Sequence, residues 1–207
     1  MTYIQAPADK RLVWYLAMEE YLAKQVEEEL FITWIVSPTV IFGRHQVMEA
    51  EVNVDFCRAN GIAMYRRKSG GGCVYADEGN LMMSMISPNK HSEVVFQQFL
   101  DKISDVLRHW GLPAVKSEHN DIMVEGKKVS GNACYALSTG TIVHGTMLVD
   151  VDLDMLQQAI TPSKEKLAKH GVKSVRQRVA NLARLVTNPQ LRTSTLVANR
   201  LSDALCL

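Results

Sequence analysis

Long apolar runs are missing from these 207 residues, so no stretch offers the roughly 20 consecutive apolar residues that a membrane-crossing helix needs. Residues 1–10 lack the charged head and apolar stretch of a secretory signal, which leaves a cytoplasmic protein as the expectation. Cysteine is sparse: Cys57, Cys73, Cys134 and Cys206 lie far apart, without the close pairs that bind zinc or run redox exchange. They suit a reducing compartment as ordinary small side chains. Net charge is almost absent as well, because 23 Lys and Arg face 22 Asp and Glu for a formal charge of +1. No overall field then draws the chain to nucleic acid or to a membrane surface, and any anion site has to be local. Repeats, low-complexity tracts and linkers are lacking too, and 47% hydrophobic residues can bury a sizeable core, so residues 1–207 read as one domain.

What is present centres on residues 65–80, Tyr-Arg-Arg-Lys-Ser-Gly-Gly-Gly-Cys-Val-Tyr-Ala-Asp-Glu-Gly-Asn. The glycines Gly70, Gly71 and Gly72 let the backbone approach a ligand closely, and Arg66, Arg67 and Lys68 put positive charge at the entrance. That combination suits a phosphate, although a glycine triplet also makes a flexible turn. Residues 62–67, 72–75 and 81–86 read as strands, so the loop joins sheet elements. A Walker loop or a dinucleotide fingerprint would lead from strand to helix, and neither motif is matched. Met82, Met83 and Met85, beside the loop, either fill core or line an adaptable wall for an apolar ligand.

Around this centre the chain alternates helices and strands. Leu12, Tyr15, Leu16, Leu22, Ala23 and Val26 recur at helical spacing over residues 11–28. Glu19 interrupts their stripe; it either stays wet at the edge or is buried against a partner. Residues 30–36 and 39–42, separated by Ser37-Pro38, read as the two strands of a hairpin. A polar loop at 43–46 and a short helix at 54–60 stopped by Gly61 follow. Residues 93–110 trace a second amphipathic helix, with Ser92 as cap and Gly111 and Pro113 as stop. Residues 141–151 read as a strand, 152–160 as a helix, 163–169 as a basic helix and 191–207 as a last amphipathic helix. Lys173, Arg176 and Arg178 lie on an irregular basic run of the kind that is usually solvated.

A second informative stretch covers residues 119–133. If Glu125-Gly126 is a two-residue turn, Val124 pairs with Lys127, Met123 with Lys128, Ile122 with Val129 and Asp121 with Ser130. Alternation then sends Ile122, Val124 and Val129 to the core and leaves Asp121, Met123, Lys128 and Ser130 on the other face. A carboxylate and an ammonium there make a polar floor, a pattern that solvated surface charges also produce. His144, among apolar neighbours, reads as a hydrogen-bonded core histidine or as a catalytic group.

Several of these motifs together resemble the catalytic domain of the lipoate-protein ligase family, within the wider biotin and lipoate ligases. The matching residues are Leu16-Ala17-Met18-Glu19-Glu20, Arg66 with Arg67 and Ser69 to Gly72, Asn120-Asp121, Gly126 with Lys128 to Gly131, His144-Gly145-Thr146, and Ser174 to Leu182. The resemblance implies an α/β fold with a mostly antiparallel central sheet, a smaller sheet and flanking helices, like class II synthetases and biotin ligases. It implies that lipoate and ATP form lipoyl-adenylate, after which the lipoyl group passes to a lysine of a lipoyl domain, in a 2-oxoacid dehydrogenase E2 or a glycine cleavage H protein. By the same resemblance Lys128 is the catalytic cation, and Arg67, Ser69, Gly70, Gly71, Gly72, Cys73, Val74, Tyr75, Asn120 and Asp121 hold ATP or the adenylate. Asp121 is also the expected Mg²⁺ ligand, and Met83 and His144 are expected in the acyl pocket.

Three departures qualify the match. Ala76 stands where these ligases often have His, Tyr135 stands near where some have Arg, and the smaller C-terminal accessory domain of many members is not found in these residues. A separately encoded accessory subunit is one expectation that follows. A rival reading is an ATP-independent octanoyl or lipoyl transferase, with Cys73 or Cys134 as acyl carrier; another is a catalytically silent binding protein for acyl groups or lipoyl domains.

Overall fold

Strand alternation sets the layers of the computed structural model, which describes residues 1–161 and 174–206. The larger sheet has the order β1 (Thr2–Gln5), β2 (Leu30–Trp34), β6 (Asn80–Ser87), β10 (Thr141–Leu148), β9 (Lys127–Ala136), β8 (Asp121–Val124) and β7 (Ala114–Lys116). Only β1 and β2 run parallel in it. In the smaller sheet β3 (Thr39–Phe42) lies between β4 (Ala63–Arg66), parallel to it, and β5 (Val74–Ala76), antiparallel. This is the mixed α/β fold with a large and a small sheet that the sequence resemblance implied.

Successive side chains of a strand point to opposite faces. One face of the large sheet packs Phe31, Met83, Met85, Val129, Val143 and Met147 beneath α4 (Ser92–His109) and the last helix, Ser194–Leu205. Phe99, Leu100, Ile103 and Leu107 recur along α4 and are all buried, each adding about 1.5–3 kcal/mol of apolar burial. The opposite face presents Ile32, Met82, Ile86 and Ile142 to α1 (Leu12–Ala23) and to Ile41 and Ala76 of the small sheet. Behind the small sheet, Val40, Phe42 and Tyr75 pack with α2 (Met48–Glu51), α3 (Val54–Ala59) and α5 (Leu153–Ala159). The functional residues gather where α1, the small sheet and this second face converge.

Three expectations change, and two strands were not expected. The segments at 30–36 and 39–42 do not form a hairpin: β2 is bonded on both edges by β1 and β6, and β3 by β4 and β5, so the chain crosses between sheets at Ser37-Pro38. The first helix stops at Ala23, well before residue 28, because the chain must turn to enter β2. Ser92 is the first helical residue of α4 rather than its cap, and His91 occupies the cap position without a side-chain bond. The edge strands β1 and β7 carry too little apolar alternation to be anticipated. The basic helix expected at 163–169 lies outside the described residues.

Candidate active site

The glycine loop leaves β4 and returns as β5, both neighbours of β3. Arg67 gives it shape from inside: Nε donates to Ser69 Oγ at 3.0 Å, Nη1 to the Ile41 carbonyl at 3.1 Å, and Nη2 to the Gly70 and Gly72 carbonyls at 2.7 Å each. Burial lowers its pKa to about 10, with Cys73 acting the other way, so the guanidinium stays charged at neutral pH. Most of the Arg67 donors thus hold the loop, a role beside the expected one toward the adenylate. The 43–46 loop backs this arrangement: Arg44 N donates to the Ser69 carbonyl at 3.0 Å. A Cβ on Gly43 would lie 2.2 Å from the Gly71 carbonyl oxygen, so the approach requires glycine.

Two consecutive carboxylates of α1 lie beside this loop, one in contact with it and the other with His144. Glu20 pairs with Lys68 at 2.7 Å at the surface and accepts a hydrogen bond from Tyr135 at 3.3 Å. Glu19 is fully buried, which decides between the wet and buried alternatives; it accepts from the Ser84 hydroxyl and lies 3.2 Å from His144 Nδ1. His144 is therefore a hydrogen-bonded residue whose ring also faces a cavity.

The β8–β9 hairpin supplies the charges. Glu125 (φ 51°) and Gly126 (φ 74°) form the expected tight turn, and Val124 pairs with Lys127 and Met123 with Lys128. Past that point a bulge shifts the register, so Ile122 faces Ser130 and Asp121 faces Gly131. The expected pairs Ile122 with Val129 and Asp121 with Ser130 are thereby corrected: an extra residue in one strand reverses the faces that follow it. Ser130 turns away, bonding Asn132 at 3.2 Å, and Gly131 takes the site face. A Cβ there would meet Lys128 Nζ at 2.4 Å, so the lysine lies over a position that only glycine leaves open.

Lys128 Nζ is 2.7 Å from Asp121 Oδ1, and Arg178 Nη2 is 2.5 Å from Asp121 Oδ2. Burial pushes the Lys128 pKa down, Asp121 pulls it up, and Arg178 and Arg67 lower it further. Arg178 is thus not merely solvated. Its segment pairs with β9 through Val179 opposite Lys128 and the Ala180 amide on the Lys128 carbonyl at 3.0 Å, and Asn181 clasps the Val151 backbone at 2.8 and 3.1 Å.

Two cavities meet at Gly72, Cys73, Val74, Asn120, Lys128 and Thr146. The inner one, about 70 Å³, is walled by Ile41, Met82, Ala133 and His144. The outer one, about 320 Å³, extends past Tyr75 and Asp121 to Ile160 and Arg178. Of the site residues read from sequence, Gly71, Gly72, Cys73, Val74, Tyr75, Asn120, Asp121 and Lys128 border the outer cavity, and Arg67 and His144 the inner. Ser69 and Gly70 border neither. Met83 is corrected: it lies in the core beneath α4, and Met82, one residue earlier and so on the opposite face, lines the inner cavity. Thr146, Gly131 and Arg178 were not assigned a role in the site; their places within the matching motifs were the only hint of one. Burial raises the Cys134 thiol, with Glu93 adding to the rise, which is the opposite of an activated nucleophile. Among the described residues no cluster of three or more His, Cys, Asp or Glu is placed to hold a metal, and no helix is long and apolar enough to cross a membrane.

The fold is shared with solved lipoate-protein ligases. One such structure, of lipoate-protein ligase A bound with ATP, has a TM-score of 0.81 at 28% identity, covering 99% of this chain and 84% of that one. A bi-partite lipoate protein ligase from Thermoplasma acidophilum, described with its E2 lipoyl domain, has a TM-score of 0.80 at 29% identity, covering 99% and 83%. In sequence, lipoate–protein ligase 1 of Staphylococcus aureus is 40% identical over 177 residues, which are 84% of this chain and 54% of that protein. Residues 13–205 match the lipoyl protein ligase A/B catalytic domain, and the chain belongs to that family. It spans about half the length of the curated relatives it matches.

Proposed function

We propose that this chain is a lipoate-protein ligase that activates lipoate with ATP and then transfers the lipoyl group to a lysine of a lipoyl domain. The observation that carries the proposal is Lys128, a cation held 2.7 Å from Asp121 on the wall that the inner and outer cavities share with the glycine loop. With the acyl chain in the inner cavity, the lipoate carboxylate lies at that wall and the α-phosphate of ATP on its other side. A carboxylate oxygen bonds to the α-phosphorus as the bond to pyrophosphate breaks. Lys128 offsets the negative charge that the two groups bring together. The glycine loop, shaped by Arg67, borders the nucleotide with backbone rather than bulk, and Asn120, tied to the Asn132 carbonyl at 2.7 Å, fixes the adjoining wall. In the second step the acceptor amine attacks the acyl carbonyl and AMP leaves.

Mg²⁺ fits this site as a nucleotide-borne ion held by one carboxylate and phosphate oxygens. Asp121 is the one carboxylate among the described residues lining the outer cavity, and it would be the residue that holds the ion. The ion would shield phosphate charge. The acceptor is a lipoyl domain of a 2-oxoacid dehydrogenase E2 or a glycine cleavage H protein, a reading supported by the E2 lipoyl domain described with the Thermoplasma ligase. Its bi-partite character supports a separate accessory subunit here too. Four cysteines without disulfides agree with a cytoplasmic enzyme.

Lipoate-dependent pyrophosphate release from ATP tests the reading. Lys128→Ala should lower it about a hundredfold or more while circular dichroism is unchanged. Transfer of an octanoyl group from a carrier protein with no pyrophosphate formed would instead establish the transferase.

A further inference from the structure

Glu19 is a carboxylate with no exposed surface, on a helix that contributes no wall to either cavity. Both of its oxygens are engaged, one by the Ser84 hydroxyl and the other by His144 Nδ1 at 3.2 Å. Ser84 and His144 are cross-strand partners on β6 and β10, so both side chains rise from the sheet face that α1 covers. Beyond the ring, His144 Nε2 lies 2.6 Å from Ser69 Oγ, and that oxygen receives Arg67 Nε at 3.0 Å.

The chemistry of the groups orients this chain of bonds. An ionised carboxylate only accepts, so His144 Nδ1 carries the proton directed at Glu19. In the neutral ring Nε2 is then bare and accepts from the Ser69 hydroxyl, whose oxygen in turn accepts from Arg67 Nε. The order acid, histidine, serine matches that of a nucleophilic triad, but Ser69 is 1% exposed and borders neither cavity, so it is not offered to a substrate. Its partner Arg67 instead holds the carbonyls of Gly70 and Gly72, and Gly72 borders both cavities.

We infer that Glu19, His144, Ser69 and Arg67 form a positioning relay through which occupancy of the inner cavity sets the shape of the glycine loop beside the nucleotide. His144 is at once a wall of the inner cavity and the group that holds Ser69. At about 70 Å³ that cavity is well below the roughly 300 Å³ at which small-molecule sites begin, so an acyl chain enters only as its walls move. Movement of the His144 ring shifts Ser69, then Arg67, then the loop carbonyls, because each is hydrogen-bonded to the next and buried. Glu19 limits the movement by fixing the ring's tautomer and direction. For its ligands, though not for its proton arrangement, the inference rests on the ligase reading above.

Two measurements test it. In the free protein, ¹⁵N chemical shifts of the His144 ring should show the neutral Nδ1–H tautomer, and an Nε2–H ring overturns the relay. In calorimetry, lipoate should tighten binding of a non-hydrolysable ATP analogue by a factor within the usual range of about 5 to 150. Ser69→Ala, which removes one buried oxygen and little volume, should bring that factor close to one while both ligands still bind. Glu19→Ala should do the same, and Glu19→Gln, which keeps an acceptor for Nδ1–H, should restore most of it. A folded Ser69→Ala protein with undiminished coupling overturns the relay. If the unsubstituted protein binds neither ligand, the ligase reading fails, and the tautomer alone decides the proton arrangement.

Discussion

Arg178 sits beside a carboxylate that it shares with the proposed catalytic lysine, and the sharing has an electrostatic consequence. Its like charge disfavours protonated Lys128, adding to burial and working against Asp121. Removing it favours the ammonium, so the lysine should stay charged to higher pH. The alkaline limb of the adenylation rate, set by loss of the Lys128 proton, should therefore move upward in Arg178→Gln, whatever happens to the maximal rate. A pH profile of lipoate-dependent pyrophosphate release checks this, and an unmoved or downward-shifted limb would sink the assignment. From the sequence Arg178 was one cation in a basic run, because charge patterning does not say which residues a backbone pairing will bring beside Lys128.

Among the elements, the β8–β9 hairpin has the most to do with the chemistry. Its turn was legible because Gly126 suits a left-handed backbone, which Glu125 before it adopts as well. Its bulge was not, since one extra residue leaves the run of apolar and polar residues almost unaltered while exchanging Ser130 for Gly131 on the site face. Gly131→Ala tests the exchange. The added Cβ falls 2.4 Å from Lys128 Nζ, so the lysine must leave its place against Asp121. Pyrophosphate release should drop about tenfold to a hundredfold, as expected of a misplaced reacting group. Overpacking should cost about 1–3 kcal/mol of stability in a thermal melt. Wild-type activity in this variant would mean that the bulge does not seat the lysine.

For the molecule as a whole, the decisive feature is that one loop and one lysine belong to two cavities at once. A ligand in either orders groups that the other uses. A non-hydrolysable ATP analogue with lipoate should accordingly raise the melting temperature by more than the sum of their separate effects. At a free concentration of 100 Kd each ligand alone contributes about 2.7 kcal/mol, and coupling adds to that. Differential scanning calorimetry across the four conditions would show it, and strictly additive shifts would mean that the cavities act independently.

The sequence by itself determined the amphipathic helix α4, the glycine loop and its charged entrance, the hairpin turn before Lys128 and the motif order that identifies the family. These are local features, set by periodicity, by glycine's freedom near a turn and by residues close together in the chain. Only the tertiary structure decided that Glu19 is buried, that Met82 and not Met83 walls the inner cavity, that β2 and β3 part into separate sheets, and that Arg67 is committed to the loop. Each of these turns on which of two permitted faces or edges is covered. Glu19 and His144 are 125 residues apart, and a carboxylate on a helix carries no mark of the histidine that will satisfy it once the sheet has brought them to 3.2 Å.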